Sequence, residues 1–308
     1  MPHPDTRDTI FVEDAAVLQH HTLDAGQYLL RLAAGATAGR AMPGSFVHLR
    51  CHEELPMRRP MSVMRADPRA GWIDILYKAH GQGTDKLAGA RVGDCINLLG
   101  PIGKPFKLQG YRSVPLLIGG GVGIPPMVFL AEHMMKQAPS VKPFVIMGSE
   151  IPFPFKPKPS KIMVDGIPGD AIACMPLLED WGIPSRLTSR QGYPGCHHGL
   201  VTDLARTWLD GLDAGQRQQV EIFSCGPTPM LQAVASLAGE FALPCQVSLE
   251  EYMACAVGGC AGCTVPVFRN GAASMLRVCV DGPVFQAEEV FPEMVGNNQK
   301  SEELQPEP

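Results

Sequence analysis

Val114-Pro-Leu-Leu-Ile118-Gly119-Gly120-Gly121-Val122-Gly123-Ile124-Pro125-Pro126 is the stretch at which the chain changes character. Its first part is apolar without a break, as a parallel strand covered on both faces requires. The glycine run that follows, with Gly120, Gly121 and Gly123, opens on Ile124, Pro125 and an apolar-periodic helix expected over residues 127–137. Strand, glycine-rich turn and helix together bring backbone N–H groups onto a pyrophosphate. The spacing departs from GxGxxG. Proline at the helix start is compatible with a first turn whose N–H groups have no partner. A plain flexible turn is the alternative at this level.

Downstream, Pro143-Phe-Val-Ile-Met147, Asp170-Ala-Ile-Ala-Cys-Met175 and Gln219-Val-Glu-Ile-Phe223 read as further strands spaced among helical stretches, which predicts an α/β sheet. The last runs into Ser224-Cys225-Gly226-Pro227-Thr228-Pro229-Met230 and a helix with Val234, Leu237, Ala238 and Phe241 on one face. By spacing alone, Cys225 fits a small buried residue at a strand end. Residues 151–160, IPFPFKPKPS, are too rich in proline for a helix or central strand and predict an exposed excursion. Cys196-His197-His198 hints at a metal, but neighbours on an extended chain point opposite ways.

Upstream, Gln27-Tyr-Leu-Leu-Arg-Leu32, Ser45-Phe-Val-His-Leu-Arg50 and Gly71-Trp-Ile-Asp-Ile-Leu-Tyr77 are short strand patterns bounded by Gly or Pro. Strands at such spacing predict a β-barrel or sandwich. Arg59-Pro60-Met61-Ser62 offers a guanidinium suited to a pyrophosphate and a hydroxyl suited to a heteroaromatic ring. Taken alone, a strand entry with one exposed arginine explains those four residues better. Lys78-Ala-His-Gly-Gln-Gly83-Thr84 leads into a short helix whose free N–H groups can seat a phosphate. A plain turn with a helix cap fits it equally well.

Near the carboxyl end stands Glu250-Glu-Tyr-Met-Ala-Cys255-Ala-Val-Gly-Gly-Cys260-Ala-Gly-Cys263, with Cys279 beyond it. Gaps of four and then two residues, and a distant fourth cysteine, match the plant-type spacing of a [2Fe–2S] cluster. Gly258, Gly259 and Gly262 let the loop bend tightly enough to aim N–H groups at sulfur. Zinc ribbons more often pair two CxxC knuckles. Buried free cysteines are the third account. Asn270-Gly271 between apolar runs predicts a hairpin that returns Cys279 to the other three.

The 308 residues suffice for two or three domains. A formal net charge of -5 gives no electrostatic reason for a nucleic-acid or anionic-membrane partner. No apolar run reaches membrane-spanning length, and MPHPDTRDTI lacks a signal pattern, so a cytoplasmic location is expected. In that setting the ten cysteines predict thiols and a cluster rather than disulfides. The expected architecture is α+β and multidomain: an N-terminal antiparallel β-barrel in 1–110, a central α/β parallel-sheet nucleotide-binding domain in 111–245, a small C-terminal [2Fe–2S] domain in 246–290, and a disordered tail in 291–308.

The order of these motifs resembles the electron-transfer subunit of class 1B dihydroorotate dehydrogenase, a branch of the ferredoxin–NADP reductase superfamily, over roughly residues 8–290. Its most specific parts are Ser248-Leu-Glu-Glu-Tyr-Met-Ala-Cys255 through Cys263, and Cys279-Val-Asp-Gly-Pro-Val-Phe285. The resemblance implies that the barrel binds FAD through Arg59, Pro60, Met61 and Ser62, with Leu76, Tyr77 and Lys78 lining the flavin by backbone and side chain. Gly83 and Thr84 then hold its pyrophosphate. It implies that Gly120, Gly121, Gly123, Ile124 and Pro125, with Cys225, Gly226 and Pro227, frame NAD(H), and that Cys255, Cys260, Cys263 and Cys279 ligate the cluster. It further implies a relay from hydride to single electrons, and a heterotetramer with an FMN-containing catalytic subunit that oxidises dihydroorotate in pyrimidine biosynthesis. Two departures stand out: a longer stretch at 150–185 and an extended tail. Lys156, Lys158 and Lys161 in the first keep NADP(H) in play. Reductase subunits of hydrogenase, bifurcating transhydrogenase or oxygenase complexes are the alternatives within the superfamily. A non-catalytic redox-sensing module and a zinc-stabilised binding protein are the alternatives outside it.

Overall fold

The computed structural model describes residues 9–296 apart from 109, 111 and 270. Tyr111 at the expected boundary, Asn270 of the expected turn and the tail from residue 297 on lie outside the described residues.

Strands β1 (Phe11–Leu23), β2 (Gln27–Ala33), β3 (Phe46–Leu49), β4 (Arg59–Ser62), β5 (Arg65–Asp67), β6 (Trp72–Lys78) and β7 (Cys95–Ile102) form an antiparallel sheet, with helices α1 (Gly35–Arg40) and α2 (Gln82–Leu87). Its order is β4-β3-β7-β1-β2-β6-β5. The two edges are consecutive in the chain, and the residues between them bond to opposite sides: Val63 N–H donates to Ser45 O (3.2 Å), Met64 N–H to Asp74 O (2.8 Å). One edge is thereby carried onto the other, and the sheet curls into a half-barrel. Leu30, Leu32, Val47, Leu49, Ile73, Ile75 and Leu98 fill its inside.

The second sheet has β8 (Val114–Gly120) at its centre, followed in the chain by α3 (Ile124–Gln137) and β9 (Phe144–Gly148). Two short strands, β10 (Lys158–Pro159) and β11 (Ala173–Cys174), pair only with each other. Then come α4 (Pro176–Asp180), β12 (Ser185–Ser189), β13 (His197–His198), α5 (Val201–Asp210), α6 (Ala214–Arg217), β14 (Val220–Cys225), α7 (Thr228–Glu240) and β15 (Cys245–Ser248). The six sheet strands are parallel, in the order β13-β12-β9-β8-β14-β15. The unbroken apolar run of β8 has a simple cause. Leu116 and Ile118 pack into the layer that holds Trp208 and Leu231, while Leu117 packs into the layer of α3 with Met127 and Val128.

The cluster segment adds the hairpin β16 (Thr264–Arg269) and β17 (Ala272–Arg277), then β18 (Val284–Gln286), α8 (Ala287–Val290) and α9 (Pro292–Gly296). β18 returns antiparallel to β15 at the edge of the second sheet. The boundary expected between residues 245 and 246 therefore falls inside a strand.

Three further expectations are corrected. The stretch 170–175 does not join the main sheet. Its place is taken by β12, which reads as polar yet is buried throughout. Arg186 there donates from its two terminal nitrogens to the carbonyls of Ser185 (2.8 Å) and Ile162 (2.7 Å), which offsets part of its burial, while its Nε has no hydrogen-bond partner. The proline-rich stretch is no exposed excursion: Phe153 joins the core beneath α3, and Gln27 Nε2 donates to Pro152 O at 2.8 Å. The tail does not begin at 291, because α9 packs on α7 and leaves Gly239 no room for a side chain against Val295. Among the described residues, no helix is long and apolar enough to cross a membrane.

Candidate electron-transfer site

The cysteine loop hangs between the half-barrel and the β16–β17 hairpin. Thr264 pairs with Arg277, and Val278 N–H donates to Cys263 O at 2.9 Å, which brings Cys279 beside Cys263. Ala256 (φ 56°), Gly258 (φ 80°) and Ala261 (φ 53°) sit in the left-handed region, so the loop is wound tightly with its amides turned inward. Cys260 N–H donates to Cys255 Sγ and Gly262 N–H to Cys260 Sγ, both at 3.4 Å. Burial opposes ionisation of Cys255, but N–H groups of Val257, Cys260 and Gly259 aimed at its sulfur bring its pKa down to about 7. Burial and then contact with Cys263 push Cys279 up to about 12. The thiols fall into two contacting pairs, Cys255 with Cys260 and Cys263 with Cys279, linked by the charge of Cys255 on Cys279. Among the described residues, no three Cys, His, Asp or Glu side chains are placed to hold a metal ion. Two thiolate pairs within a cage of N–H donors fit a two-iron cluster, and metal binding would deprotonate Cys279 outright.

The glycine turn lies against the end of β14. A side chain on Gly123 would stand 2.0 Å from Cys225 O, and one on Gly120 would stand 2.4 Å from Met230 Sδ. Backbone is thus pressed on backbone where Gly123 meets Cys225 and Gly226, and where Gly226 approaches Gly120 O; with Gly121, Ile124, Pro125 and Pro227 beside them, these residues form a turn suited to a pyrophosphate. Cys225 is buried in the same core as Ile124 and the half-barrel residues Met64 and Leu76. Burial, reinforced by the charge of Glu250, pushes its thiol well above the usual value.

In the half-barrel, Arg59 lies against Gly83, where a side chain would come within 3.0 Å of its guanidinium. Thr84 Oγ1 accepts from His80 N–H at 2.6 Å. Pro60, Met61 and Ser62 continue β4 beside β3, pairing His48, Val47 and Phe46. Leu76 faces the nucleotide-binding core, and Lys78 is exposed at the strand end. Tyr77 corrects an expectation. Its ring is buried inside the barrel against Tyr28 (centroids 5.3 Å apart), with its hydroxyl 2.9 Å from His20 Nε2. Only its backbone is left to line a cofactor, because alternation along β6 sends Leu76 out and Tyr77 in. The arginine, the small Gly83 and the backbone edge of β6 otherwise fit a flavin nucleotide.

Three other residues here carry no role in the sequence pattern, although Glu250 opens the cysteine segment. His48 is fully buried on the β3 face that Phe46 turns to the cluster segment; burial, with the nearby charge of Arg58, lowers its pKa to about 4. Glu250 follows β15 and is reached by solvent, yet burial among protein atoms pushes its carboxyl up to about 7, as for a group on a cleft wall. Glu150, just beyond β9, is paired with Arg190. No local spacing marks them, since each takes its setting from chain distant in sequence.

A family model described as the iron–sulfur cluster binding domain of dihydroorotate dehydrogenase B matches residues 250–291. The dihydroorotate dehydrogenase B (NAD(+)) electron transfer subunit of Caldanaerobacter subterraneus subsp. tengcongensis is 32% identical over 249 residues, which are 81% of this chain and 87% of that protein. The chain belongs to this family of electron transfer subunits. The dihydroorotate dehydrogenase B electron transfer subunit of Desulforamulus reducens is 31% identical over 281 residues, 91% of this chain and 98% of its own. Among solved structures, one of NADH-dependent reduced ferredoxin-NADP oxidoreductase superposes with a TM-score of 0.71 at 24% identity, covering 95% of this chain and 96% of that one. A ferredoxin reductase of carbazole 1,9a-dioxygenase shares the fold at a TM-score of 0.59 and 19% identity, over 76% and 67% of the two chains. The fold is thus that of flavin reductases with an iron–sulfur segment at the carboxyl end, and the dihydroorotate dehydrogenase B family makes the chain an electron-transfer oxidoreductase subunit.

Proposed function

We propose that this subunit passes electrons between NAD(H) and an FMN-containing dihydroorotate dehydrogenase catalytic subunit in the cytoplasm, as a heterotetramer with two chains of each kind. One observation carries the order of the relay: the half-barrel touches both other segments. It meets the glycine turn through Met64 and Leu76, and the cysteine loop through Phe46 and Ile102. A group held on the half-barrel would therefore lie within reach of both, although the cluster segment also joins the second sheet directly through β18.

In this proposal the half-barrel holds FAD, the parallel sheet with its helices holds NAD(H), and the segment from Cys255 to Cys279 holds the cluster. Arg59, Gly83 and Thr84 grip the FAD pyrophosphate, Pro60, Met61 and Ser62 flank its ring, and the β6 edge at Leu76, Tyr77 and Lys78 supports it. The turn from Gly120 to Pro125 offers N–H groups to the NAD(H) pyrophosphate. Cys225, Gly226 and Pro227 wall the nicotinamide and keep water from it. Cys255, Cys260, Cys263 and Cys279 hold the irons. Held by these residues, a flavin and a cluster would supply the conversion of a hydride's electron pair into single electrons. The cofactor-holding segments leave no acid–base constellation for dihydroorotate, which assigns that oxidation to the partner. Loaded with FAD and iron, the chain alone should oxidise NADH with an artificial acceptor and leave dihydroorotate untouched. Turnover of dihydroorotate without a partner would refute the assignment.

A further inference from the structure

The end of β9 carries a carboxylate with a defined setting. Glu150 accepts from Arg190 Nε (3.3 Å) through Oε1, and from Gln191 Nε2 (3.1 Å) through Oε2. These donors come from the end of β12, the strand beside β9, locked by Ser149 N–H donating to Thr188 O at 3.2 Å. Hydrogen bonding, first from Gln191, holds the Glu150 carboxyl below the usual carboxylate range.

The topology says what such a group faces. β8 supplies the glycine turn, and β9 lies next to it on the side away from β14. In doubly wound sheets ligands sit beyond the carboxyl ends of the strands, and the adenosine half of a dinucleotide crosses the end of the second strand. An acid there takes the ribose 2′-hydroxyl, whereas a nearby arginine accommodates a 2′-phosphate. Both residue types are present, and the acid occupies the arginine. Immediately after them in the chain, Pro152, Phe153, Phe155 and Tyr193 line a cavity of about 590 Å³, with walls suited to an adenine ring. Two of the three lysines fit a phosphate role poorly: Lys158 is paired with Asp180 at 2.9 Å, and the chain at Lys161 is tied to Glu179, whereas Lys156 lines the same cavity and is the cation a 2′-phosphate would still meet.

We propose that Glu150 selects NADH over NADPH, accepting hydrogen bonds from the adenosine ribose while keeping Arg190 from a 2′-phosphate. This rests on the nicotinamide site proposed above. Glu150 and Arg190 are solvent-exposed, so their pairing contributes little to stability and substitution probes binding rather than folding.

The test is direct titration of the full FAD- and cluster-loaded chain with NAD+ and NADP+, reading dissociation constants rather than turnover. Wild type should bind NAD+ at least about tenfold tighter than NADP+, a difference of about 1.4 kcal/mol. Glu150→Gln should narrow that ratio about tenfold, mainly by gaining NADP+ affinity. Adding Arg190→Ala to Glu150→Gln should remove the gain, which a merely structural role for Glu150 would not produce. An unchanged ratio in Glu150→Gln, or a wild-type preference for NADP+, overturns the assignment while leaving the nicotinamide site standing. Absence of binding by either dinucleotide to wild type would instead overturn the site itself.

Discussion

Cys279 and Cys95 separate a proposed ligand from a bystander. Both are free thiols, but Cys279 is buried against Cys263 while Cys95 is exposed on β7. Cys279→Ser should cut bound iron to under about half of wild type and abolish the reduced-cluster resonance, with FAD retained. Cys95→Ser should leave iron unchanged; iron assay and paramagnetic resonance check both. Three of the four proposed cluster cysteines were legible because their grouping is local, with four and then two residues between them, whereas Cys279 depends on the hairpin to return it. Glu150, Glu250 and His48 were not, since their neighbours arrive from other strands.

At the scale of elements, the glycine turn was readable and its constraint was not. Strand, glycines and helix stand in sequence order, but only the fold reveals that Gly123 abuts the carbonyl of Cys225. Gly123→Ala should cost about 2–3 kcal/mol through overpacking against backbone, and weaken NAD+ binding. Gly121→Ala meets nothing within 4 Å and bears only its left-handed φ of 56°. It should cost about 1–2 kcal/mol. Denaturant unfolding of the two variants ranks them. β12 escaped the sequence because Ser185, Arg186, Thr188 and Ser189 look like solvated residues, and the carbonyl that accepts from Arg186 lies in a loop no periodicity reveals. The proline-rich stretch was read correctly as neither helix nor central strand. Its two phenylalanines were the overlooked sign that it covers a core.

Across the whole molecule, the order of segments was legible and their mutual grip was not. Arg65 on β5 reaches Glu132 on α3 through two hydrogen bonds (3.2 and 2.8 Å), and Lys136 adds a third at 2.8 Å. Its guanidinium also lies over Trp72 and Trp181, with centroids at 5.5 and 5.2 Å. This clamp fixes the half-barrel against α3 of the second sheet, and hence the proposed flavin site against the glycine turn. Burial alone would raise the Glu132 pKa, but Arg65 and Lys136 outweigh it and the value is lowered. The stability it confers is therefore full above the ordinary carboxylate range and lost as pH falls through the depressed folded value. Glu132→Ala should cost about 3 kcal/mol at neutral pH, and the gap to wild type should shrink in acid. Urea unfolding at both pH values reads it out.

The central claim is that electrons enter this polypeptide in pairs at a flavin and leave it singly through iron. Metal and acid-labile sulfide analysis of anaerobically prepared protein, followed by an NADH titration of its visible spectrum, tests it most directly. The account predicts about two irons, two sulfides and one FAD per chain, with flavin and cluster bands bleached together. Zinc in place of iron, or a flavin that bleaches with no cluster to receive its electrons, would contradict it.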